Sequence, residues 1–230
     1  MHEIVVKMQD HFSYSSSSYY GDSLFFLSIG LYKVFDPKIE RIILLDADLK
    51  FKNDIGKLHD LFEQFNETNI MGIARDGQPV YRHLFWQYRN ENPNTRVGDP
   101  PPNGLTGFNS GVLLLDLKKM RSSDLYDQLV TPESVEKLTK KYHFKGHLGD
   151  QDFFSLIGME HEHLFYVLPC TWNRQLCTWW GKHGYEEVLD LYYKCDGDIN
   201  VYHGNCNTEI PRDADDDEFE SYFIEPKVEL

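Results

Sequence analysis

The segment that most constrains the fold is the run RIILL, residues 41–45, which is followed at once by Asp46, Ala47 and Asp48. A short continuous apolar run predicts a strand that is covered on both faces of a sheet. In an extended chain the side chains of residues i and i+2 point to the same side, so we expect Asp46 and Asp48 to converge. Ligands of α/β proteins bind at the carboxyl ends of the strands. The segment therefore predicts a ligand site at the end of a buried strand.

A bound cation is the interpretation that best explains the two aspartates. Neighbouring carboxylates repel each other, and one of them takes up a proton unless a positive charge neutralises the pair. Mg²⁺ and Mn²⁺ prefer carboxylate and phosphate oxygens. The net charge of −14 agrees with a cation ligand and argues against binding to nucleic acid or to an anionic membrane surface. Two solvated acids at a strand end are the alternative.

Hydrophobic periodicity along the chain predicts an α/β sheet flanked by helices. We expect strands near 41–45, 70–74, 112–117, 164–168 and 199–203, and helices near 23–34, from 54 onward, 118–130, 132–142 and 150–158. The expected helix caps are Asp22, Asp54, Thr131 and Asp150. The expected buried face of the first helix consists of Leu24, Leu27, Leu31 and Val34. Residues 76–106 are polar and rich in glycine, proline and asparagine, which predicts a functional loop region rather than packed core.

The cysteines favour an oxidising compartment. There are four of them, all in the last third of the chain, at positions 170, 177, 195 and 206. An even, clustered set predicts two local disulfides, with three pairings open, and reduced core cysteines are the alternative. One glycosylation sequon, Asn66-Glu67-Thr68, agrees with that compartment. The sequence shows neither a signal peptide after Met1 nor an apolar run long enough to cross a bilayer.

Five stretches carry a family resemblance. In chain order they are IILLDADLKFKNDIGKL (42–58), FNSGVLLLDL (108–117), GDQDFFSLI (149–157), LPCTWNRQ (168–175) and NVYHG (200–204). This set resembles glycosyltransferase family eight, which comprises retaining nucleotide-sugar transferases of the GT-A fold. The resemblance implies a Rossmann-like mixed sheet flanked by helices, with a catalytic domain over 1–211 and an acidic tail over 212–230. The family's first nucleotide-binding strands precede the segment matched by residues 20–35, so we expect an N-terminally incomplete domain whose activity is in question.

The resemblance also assigns roles to residues. It implies that Asp46, Asp48 and His203 bind Mn²⁺, or alternatively Mg²⁺, which holds the diphosphate of the donor. The implied donor-binding residues are Asp46, Asp48, Asn109, Ser110, Gly111, Asp150, Gln151, His203 and Asn205. The family often has a diphosphate-binding lysine after the histidine, and this chain has none there. Asn205, Asn207 or Arg174 is therefore expected to take its place.

The implied catalytic residues are Asn109, Asp150 and Gln151. A retaining glycosidase places a carboxylate nucleophile at the anomeric carbon, whereas the resemblance places the neutral amide of Gln151 there. A neutral amide is a poor nucleophile, but its carbonyl oxygen stabilises positive charge on the sugar. The implied mechanism is therefore front-face displacement, in which the acceptor hydroxyl attacks from the side on which UDP leaves.

Within the family, the resemblance is closest to members of the endoplasmic reticulum lumen that transfer xylose. It implies an α-1,3 transfer from UDP-xylose to a xylose-glucose disaccharide on EGF-like repeats, such as those of Notch. His147, Trp179 and Trp180 are expected to contact the acceptor. A membrane anchor is expected only in a longer form of the protein. The alternatives are a family-eight transferase that uses UDP-glucose and a catalytically silent, truncated form that binds glycoprotein.

Overall fold

Two sheets and their flanking helices position the site. The computed structural model describes residues 8–13 and 22–213, so the predicted tail lies outside the described residues from 214 onward. The strands are β1 (Arg41–Leu45), β2 (Leu49–Phe51), β3 (Met71–Arg75), β4 (Phe108–Asp116), β5 (Phe165–Leu168), β6 (Arg174–Gln175) and β7 (Val201–His203). The α-helices are α1 (Leu27–Gly30), α2 (Ile55–Asp60), α3 (Val80–Leu84), α4 (Trp86–Glu91), α5 (Leu117–Arg121), α6 (Asp124–Leu129), α7 (Pro132–Tyr142), α8 (Asp150–Gly158) and α9 (Glu186–Tyr193).

The first sheet has the strand order β1-β4-β3-β5 and the second has the order β2-β7-β6. Strand β4 pairs antiparallel with both β1 and β3, while β5 runs parallel to β3. Within the described sheet β1 is therefore an edge strand, and its five residues are only partly buried. The prediction that residues 41–45 are covered on both faces was wrong. The strand with that property is β4, whose residues 112–115 are fully buried.

Strand β4 separates two hydrophobic cores. Leu113 and Leu115 point into the larger core, which packs against helices α7 and α8. Val112 and Leu114 point into a smaller core that includes Trp172. Because side chains alternate along a strand, one strand supplies both cores.

The first predicted helix consists of three short pieces. Ser23–Phe26 and Leu31–Lys33 are 3-10 turns, and α1 lies between them. Asp22 caps the segment as predicted, since its carboxylate accepts from the Leu24 N–H. The predicted buried face was wrong, because Leu24 and Val34 are exposed. The buried aromatic and aliphatic side chains are those of Phe26, Ile29 and Tyr32. Their spacing of three residues is that of a 3-10 helix, which brings every third side chain to one face.

Residues 76–106 do not form the polar loop region that was predicted. They contain helices α3 and α4, and they contribute Val80, Tyr81, Phe85 and Val97 to the larger core. The glycines, prolines and asparagines elsewhere in residues 76–106 obscured the short helical spacing of these residues. Other elements needed smaller corrections. The expected helix over 118–130 is two helices, α5 and α6, and α6 starts after the N-cap Ser123.

The disulfide prediction is confirmed. The pairs are Cys170–Cys195 and Cys177–Cys206. The second pair joins the segment after β6 to the segment after β7.

Helix caps at Asp54 and Thr131 are also confirmed, with Pro132 in the first turn of α7. In the described ranges, the helices are too short or too polar to cross a bilayer.

Candidate active site

Asp46 and Asp48 lie where the chain passes from the first sheet to the second. The Asp46 N–H donates to the Gly111 carbonyl of β4 (2.9 Å), and the Gly204 N–H donates to the Asp48 carbonyl (2.9 Å). Just after Asp48, Leu49 pairs with His203 in the β2–β7 ladder. The sequence predicted that the two acids lie on the same side of an extended strand, but both lie between β1 and β2. A bend that both sheets hold in place brings them together.

The structure brings Asp46, Asp48 and His203 into one cluster, the Asp-Asp-His group. One ligand atom from each lies within 4.8 Å of the other two. The His203 Nε2 is 3.6 Å from Asp46 Oδ2 and 3.4 Å from Asp48 Oδ1. Burial lowers the pKa of His203, although the two carboxylates partly oppose that shift. A neutral imidazole with two carboxylates is a ligand set that suits a divalent transition-metal ion.

Gly111 gives the His203 ring the space it occupies. A Cβ built on Gly111 would lie 2.3 Å from Cε1 and 2.7 Å from Nδ1 of that ring. Contacts this short are sterically forbidden, so the position excludes every residue with a side chain unless the ring moves. The glycine of the Asn-Ser-Gly motif therefore serves the Asp-Asp-His group directly, in addition to the donor-binding role predicted for it.

Two asparagines, Asn109 and Asn173, connect β4 to His203. The sequence analysis gave no role to Asn173. The Asn109 Oδ1 accepts from the Gly111 N–H (3.1 Å) and from the Asn173 Nδ2 (2.8 Å). The Asn173 Oδ1 lies 2.9 Å from His203 Nδ1. Asn173 stands in the LPCTWNRQ motif, which was the available signal for its importance.

Asp150 is held by two hydroxyls. Ser110 Oγ donates to its Oδ1 (3.0 Å), and Ser28 Oγ donates to its Oδ2. Burial of the carboxyl raises the pKa of Asp150 to about 6, and these two hydrogen bonds oppose the increase. The predicted capping role was wrong, because Gly149 occupies the N-cap of α8 and Asp150 is its first residue. The carboxylate instead joins α8 to the Asn-Ser-Gly motif.

Gln151 lies beside Ser110 and Asp76. Its Oε1 accepts from the Ser110 N–H (3.4 Å), and its Nε2 donates to Asp76 Oδ2 (3.3 Å). Asp76 is buried, which raises its pKa to about 8. The sequence analysis missed this aspartate, although it follows the end of β3 as Asp46 follows the end of β1. That position was the signal that could have identified it.

Two of the expected substitutes for the diphosphate-binding lysine have other contacts. The Asn205 Oδ1 accepts from the backbone N–H groups of Leu176 (3.0 Å) and Cys177 (2.9 Å). The Arg174 guanidinium stacks 3.9 Å from the ring centroid of Tyr193. Asn205 thus fixes the loop after His203, and its role toward the donor stays a prediction.

The residues expected at the acceptor differ in how far they are exposed. Trp179 is exposed and stacks on His183 (3.5 Å between ring centroids), while Trp180 is partly buried against His83. Both tryptophans follow Cys177, whose disulfide joins them to the loop after His203. His147 is partly buried before α8, where burial lowers its pKa. The predicted contacts of all three with an acceptor stay predictions.

A sequence profile of glycosyl transferase family 8 matches residues 2–190. The chain belongs to glycosyl transferase family 8. Among its relatives, xyloside xylosyltransferase 1 of Mus musculus and that of Homo sapiens are each 59% identical over 210 residues. These alignments cover 91% of this chain, but 54% of the mouse protein and 53% of the human protein. The chain thus spans about half the length of these curated relatives.

Solved structures of glycosyltransferases share the fold. The crystal structure of mouse xyloside xylosyltransferase 1 in its apo form superposes with a TM-score of 0.88 at 58% identity, covering 91% of this chain and 72% of that one. The galactosyltransferase LgtC, in complex with donor and acceptor sugar analogs, superposes with a TM-score of 0.52 at 18% identity, covering 86% and 63%. The predictions of family eight and of a GT-A fold are confirmed.

Proposed function

We propose that this chain is the catalytic unit of a retaining xylosyltransferase. It transfers xylose from UDP-xylose, in α-1,3 linkage, to a xylose-glucose disaccharide on EGF-like repeats of proteins such as Notch. The observation that carries the proposal is the Asp-Asp-His group beside the Asn-Ser-Gly motif, in a chain that is 59% identical to xyloside xylosyltransferase 1 of mouse and human.

The metal in this proposal is Mn²⁺. Asp46 and Asp48 would bind it through carboxylate oxygens and His203 through Nε2, and the space left by Gly111 fits that arrangement. An ion held by these residues would supply Lewis acidity, which would neutralise the negative charge that develops on the departing UDP. The two exposed carboxylates leave one side of the group accessible to a donor.

The residues of β4 and α8 would hold the sugar. Asn109 and Asp150 present hydrogen-bonding groups that match sugar hydroxyls. Gln151 would direct its carbonyl oxygen to the anomeric carbon, where it stabilises positive charge as the bond to phosphate breaks. The acceptor hydroxyl attacks from the same face and gives its proton to the leaving phosphate, so the configuration is retained.

The aromatic residues Trp179 and Trp180, together with His147, would form the acceptor side. Aromatic rings stack on the C–H faces of sugars, and Trp179 offers an exposed ring for that purpose. We also propose that the protein acts in the lumen of the endoplasmic reticulum. Two disulfides support an oxidising compartment for this chain.

A donor screen tests the proposal. The chain is incubated with Mn²⁺, a synthetic EGF-like repeat bearing the disaccharide, and either UDP-xylose or UDP-glucose. We expect one added pentose by mass spectrometry, in α-1,3 linkage by NMR, and loss of activity in Asp46→Asn. Asp60→Asn, an exposed acid at the end of α2, is the matched control.

Two results would contradict the proposal. Transfer of a hexose in preference to a pentose would refute UDP-xylose as the donor. If calorimetry detects no Mn²⁺-dependent affinity for UDP, the proposed transferase activity is refuted and a glycoprotein-binding module is favoured.

A further inference from the structure

The tautomer of His203 decides whether the Asp-Asp-His group offers a nitrogen ligand. A neutral imidazole carries its proton on one ring nitrogen and a lone pair on the other. Without a cation, the carboxylate of Asp48 would stabilise a proton on Nε2, because Asp48 Oδ1 lies 3.4 Å from that nitrogen. That tautomer would turn the lone pair away from the two carboxylates. A residue that holds the proton on Nδ1 would prepare the site for a cation.

The orientation of Asn109 is fixed by the backbone. The Gly111 N–H lies 3.1 Å from Asn109 Oδ1, and a backbone N–H can only donate. The oxygen of the Asn109 amide, rather than its nitrogen, therefore faces Gly111. The same oxygen lies 2.8 Å from the terminal nitrogen of Asn173. Because an oxygen acceptor needs a donor, Asn173 presents its NH₂ group to Asn109.

The orientation of Asn173 then determines that of His203. With its NH₂ directed at Asn109, Asn173 directs Oδ1 at His203 Nδ1, 2.9 Å away. That oxygen can only accept, so Nδ1 carries the proton and Nε2 carries the lone pair. The three residues are almost completely buried, with exposed fractions of 7% for Asn109, 1% for Asn173 and 3% for His203. Water therefore competes little for these hydrogen bonds.

We propose that Asn173 is a positioning residue that selects the Nδ1–H tautomer of His203. It acts through the amide relay, defined here as Gly111 N–H, Asn109, Asn173 and His203. The relay directs the Nε2 lone pair at the two carboxylates before any cation arrives. This inference rests on the proposed function for the identity of the cation, but the tautomer itself does not depend on it. The relay joins three segments distant in sequence, which is why hydrogen-bond geometry was needed to identify it.

The tautomer is measured in the metal-free chain. Long-range ¹H–¹⁵N NMR of imidazole-labelled protein, above the ordinary pKa of histidine, distinguishes Nδ1–H from Nε2–H. The His203 signals are identified by their loss in His203→Gln. We expect Nδ1–H in the unmodified chain and in Asn173→Asp, which keeps an acceptor oxygen for Nδ1. Asn173→Leu has a similar volume without that acceptor, and we expect Nε2–H to become the major form.

Mn²⁺ binding is the second measurement. Outer hydrogen-bond partners of metal ligands contribute about 10- to 100-fold to metal affinity, so we expect a loss of that size in Asn173→Leu by calorimetry. Asn200→Leu is the matched control. It removes a partly buried amide near the same sheet, where Asn200 bonds Asn53 (2.7 Å) and Thr171 (3.1 Å) and makes no hydrogen bond to His203. We expect its tautomer and Mn²⁺ affinity to match those of the unmodified chain.

The outcomes separate the two proposals. An Nε2–H tautomer in the unmodified chain, or an unchanged tautomer in Asn173→Leu, would overturn the relay. An Mn²⁺ affinity that is equal in Asn173→Leu and the unmodified chain would also overturn it. If the unmodified chain shows Nδ1–H but does not bind Mn²⁺, the relay stands and the proposed metal is wrong. Circular dichroism of each variant establishes that it is folded.

Discussion

The side-chain amide of Gln151 donates a hydrogen bond to the carboxyl group of Asp76, with 3.3 Å between Nε2 and Oδ2. On its other side, Oε1 accepts from the Ser110 N–H at 3.4 Å. Since that backbone group can only donate, the amide has one favoured orientation, with its oxygen toward β4. Ser110 and Asp76 thus hold the amide of Gln151, the catalytic group proposed above, in one orientation.

Replacing Gln151 by alanine should slow turnover while donor binding is kept. The carbonyl oxygen would be lost, and the loss of one group that stabilises transition-state charge costs about 100-fold in turnover. The Asp-Asp-His group is untouched, so the Kd for UDP in the presence of Mn²⁺ should stay within about threefold, a shift of well under 1 kcal/mol. Steady-state kinetics and calorimetry measure the two quantities. Gln87→Ala, which changes a partly exposed glutamine of α4, is the control.

The unmodified chain, which keeps Gln151, tests the front-face mechanism. If Gln151 only stabilises charge, no covalent sugar should accumulate on the protein. Mass spectrometry of the intact chain after rapid quenching detects such an intermediate. Capture of a glycosyl–enzyme adduct would refute front-face displacement and would indicate a nucleophilic carboxylate.

The stability of the chain should decrease as the pH rises toward 8. Burial raises the pKa of Asp76 to about 8, against about 3.9 for an unfolded aspartate. Between these values the folded chain binds the proton more tightly, so its contribution to stability is complete at low pH and is lost as the pH rises through about 8. Burial also raises the pKa of Asp152 to about 7, which acts in the same direction.

Asp76→Asn should therefore flatten the pH dependence. We expect the free energy of unfolding in urea to fall less steeply between about pH 5 and pH 8, by about 1.4 kcal/mol per pH unit for the one proton removed. The control is Asp124→Asn, which changes an exposed residue in the first turn of α6. Identical pH slopes in Asp76→Asn and the unmodified chain would show that Asp76 does not titrate in this range.

Asn66 provides a test of the proposed compartment. It is exposed, and its Oδ1 accepts from the N–H and hydroxyl of Thr68, both at 2.9 Å, in a tight turn. A sequon on the surface of a lumenal chain is a substrate for N-glycosylation. We expect the chain, expressed in animal cells behind a secretory leader, to lose the mass of one glycan on endoglycosidase treatment. Asn66→Gln should show no change, and an unmodified Asn66 would contradict the prediction.

The sequence predicted the parts of the site that adjoin short motifs. Three such parts lie at the end of a regular element, where local sequence patterns predict the structure. They are the Asp-x-Asp pair, the Asn-Ser-Gly strand and the start of α8. Their family resemblance supplied His203, which no local pattern distinguishes from a structural histidine. The observed cluster of Asp46, Asp48 and His203 agrees with that expectation.

The contacts between distant segments could not be predicted. Asn109 and Asn173 are 64 residues apart, and their hydrogen bond depends on how β4 and β6 are placed in three dimensions.

The helical period assumed for the first helix was a further source of error. Phe26, Ile29 and Tyr32 share a face in a segment that contains 3-10 turns, whereas the α-helical pattern we chose selected the exposed Leu24. Local propensity does not distinguish these two helix types in so short a segment.

Gly111→Ala should weaken metal binding through His203. The added Cβ would lie 2.3 Å from the imidazole Cε1, so the ring must leave its position beside the two carboxylates. We expect Mn²⁺ affinity to fall at least about tenfold by calorimetry, and the free energy of unfolding to fall by about 1–3 kcal/mol through overpacking. Gly77→Ala is the matched control, because its Cβ would lie 3.4 Å from Gln175 Oε1, close to an ordinary contact. Unchanged Mn²⁺ affinity in folded Gly111→Ala would mean that His203 is not a ligand.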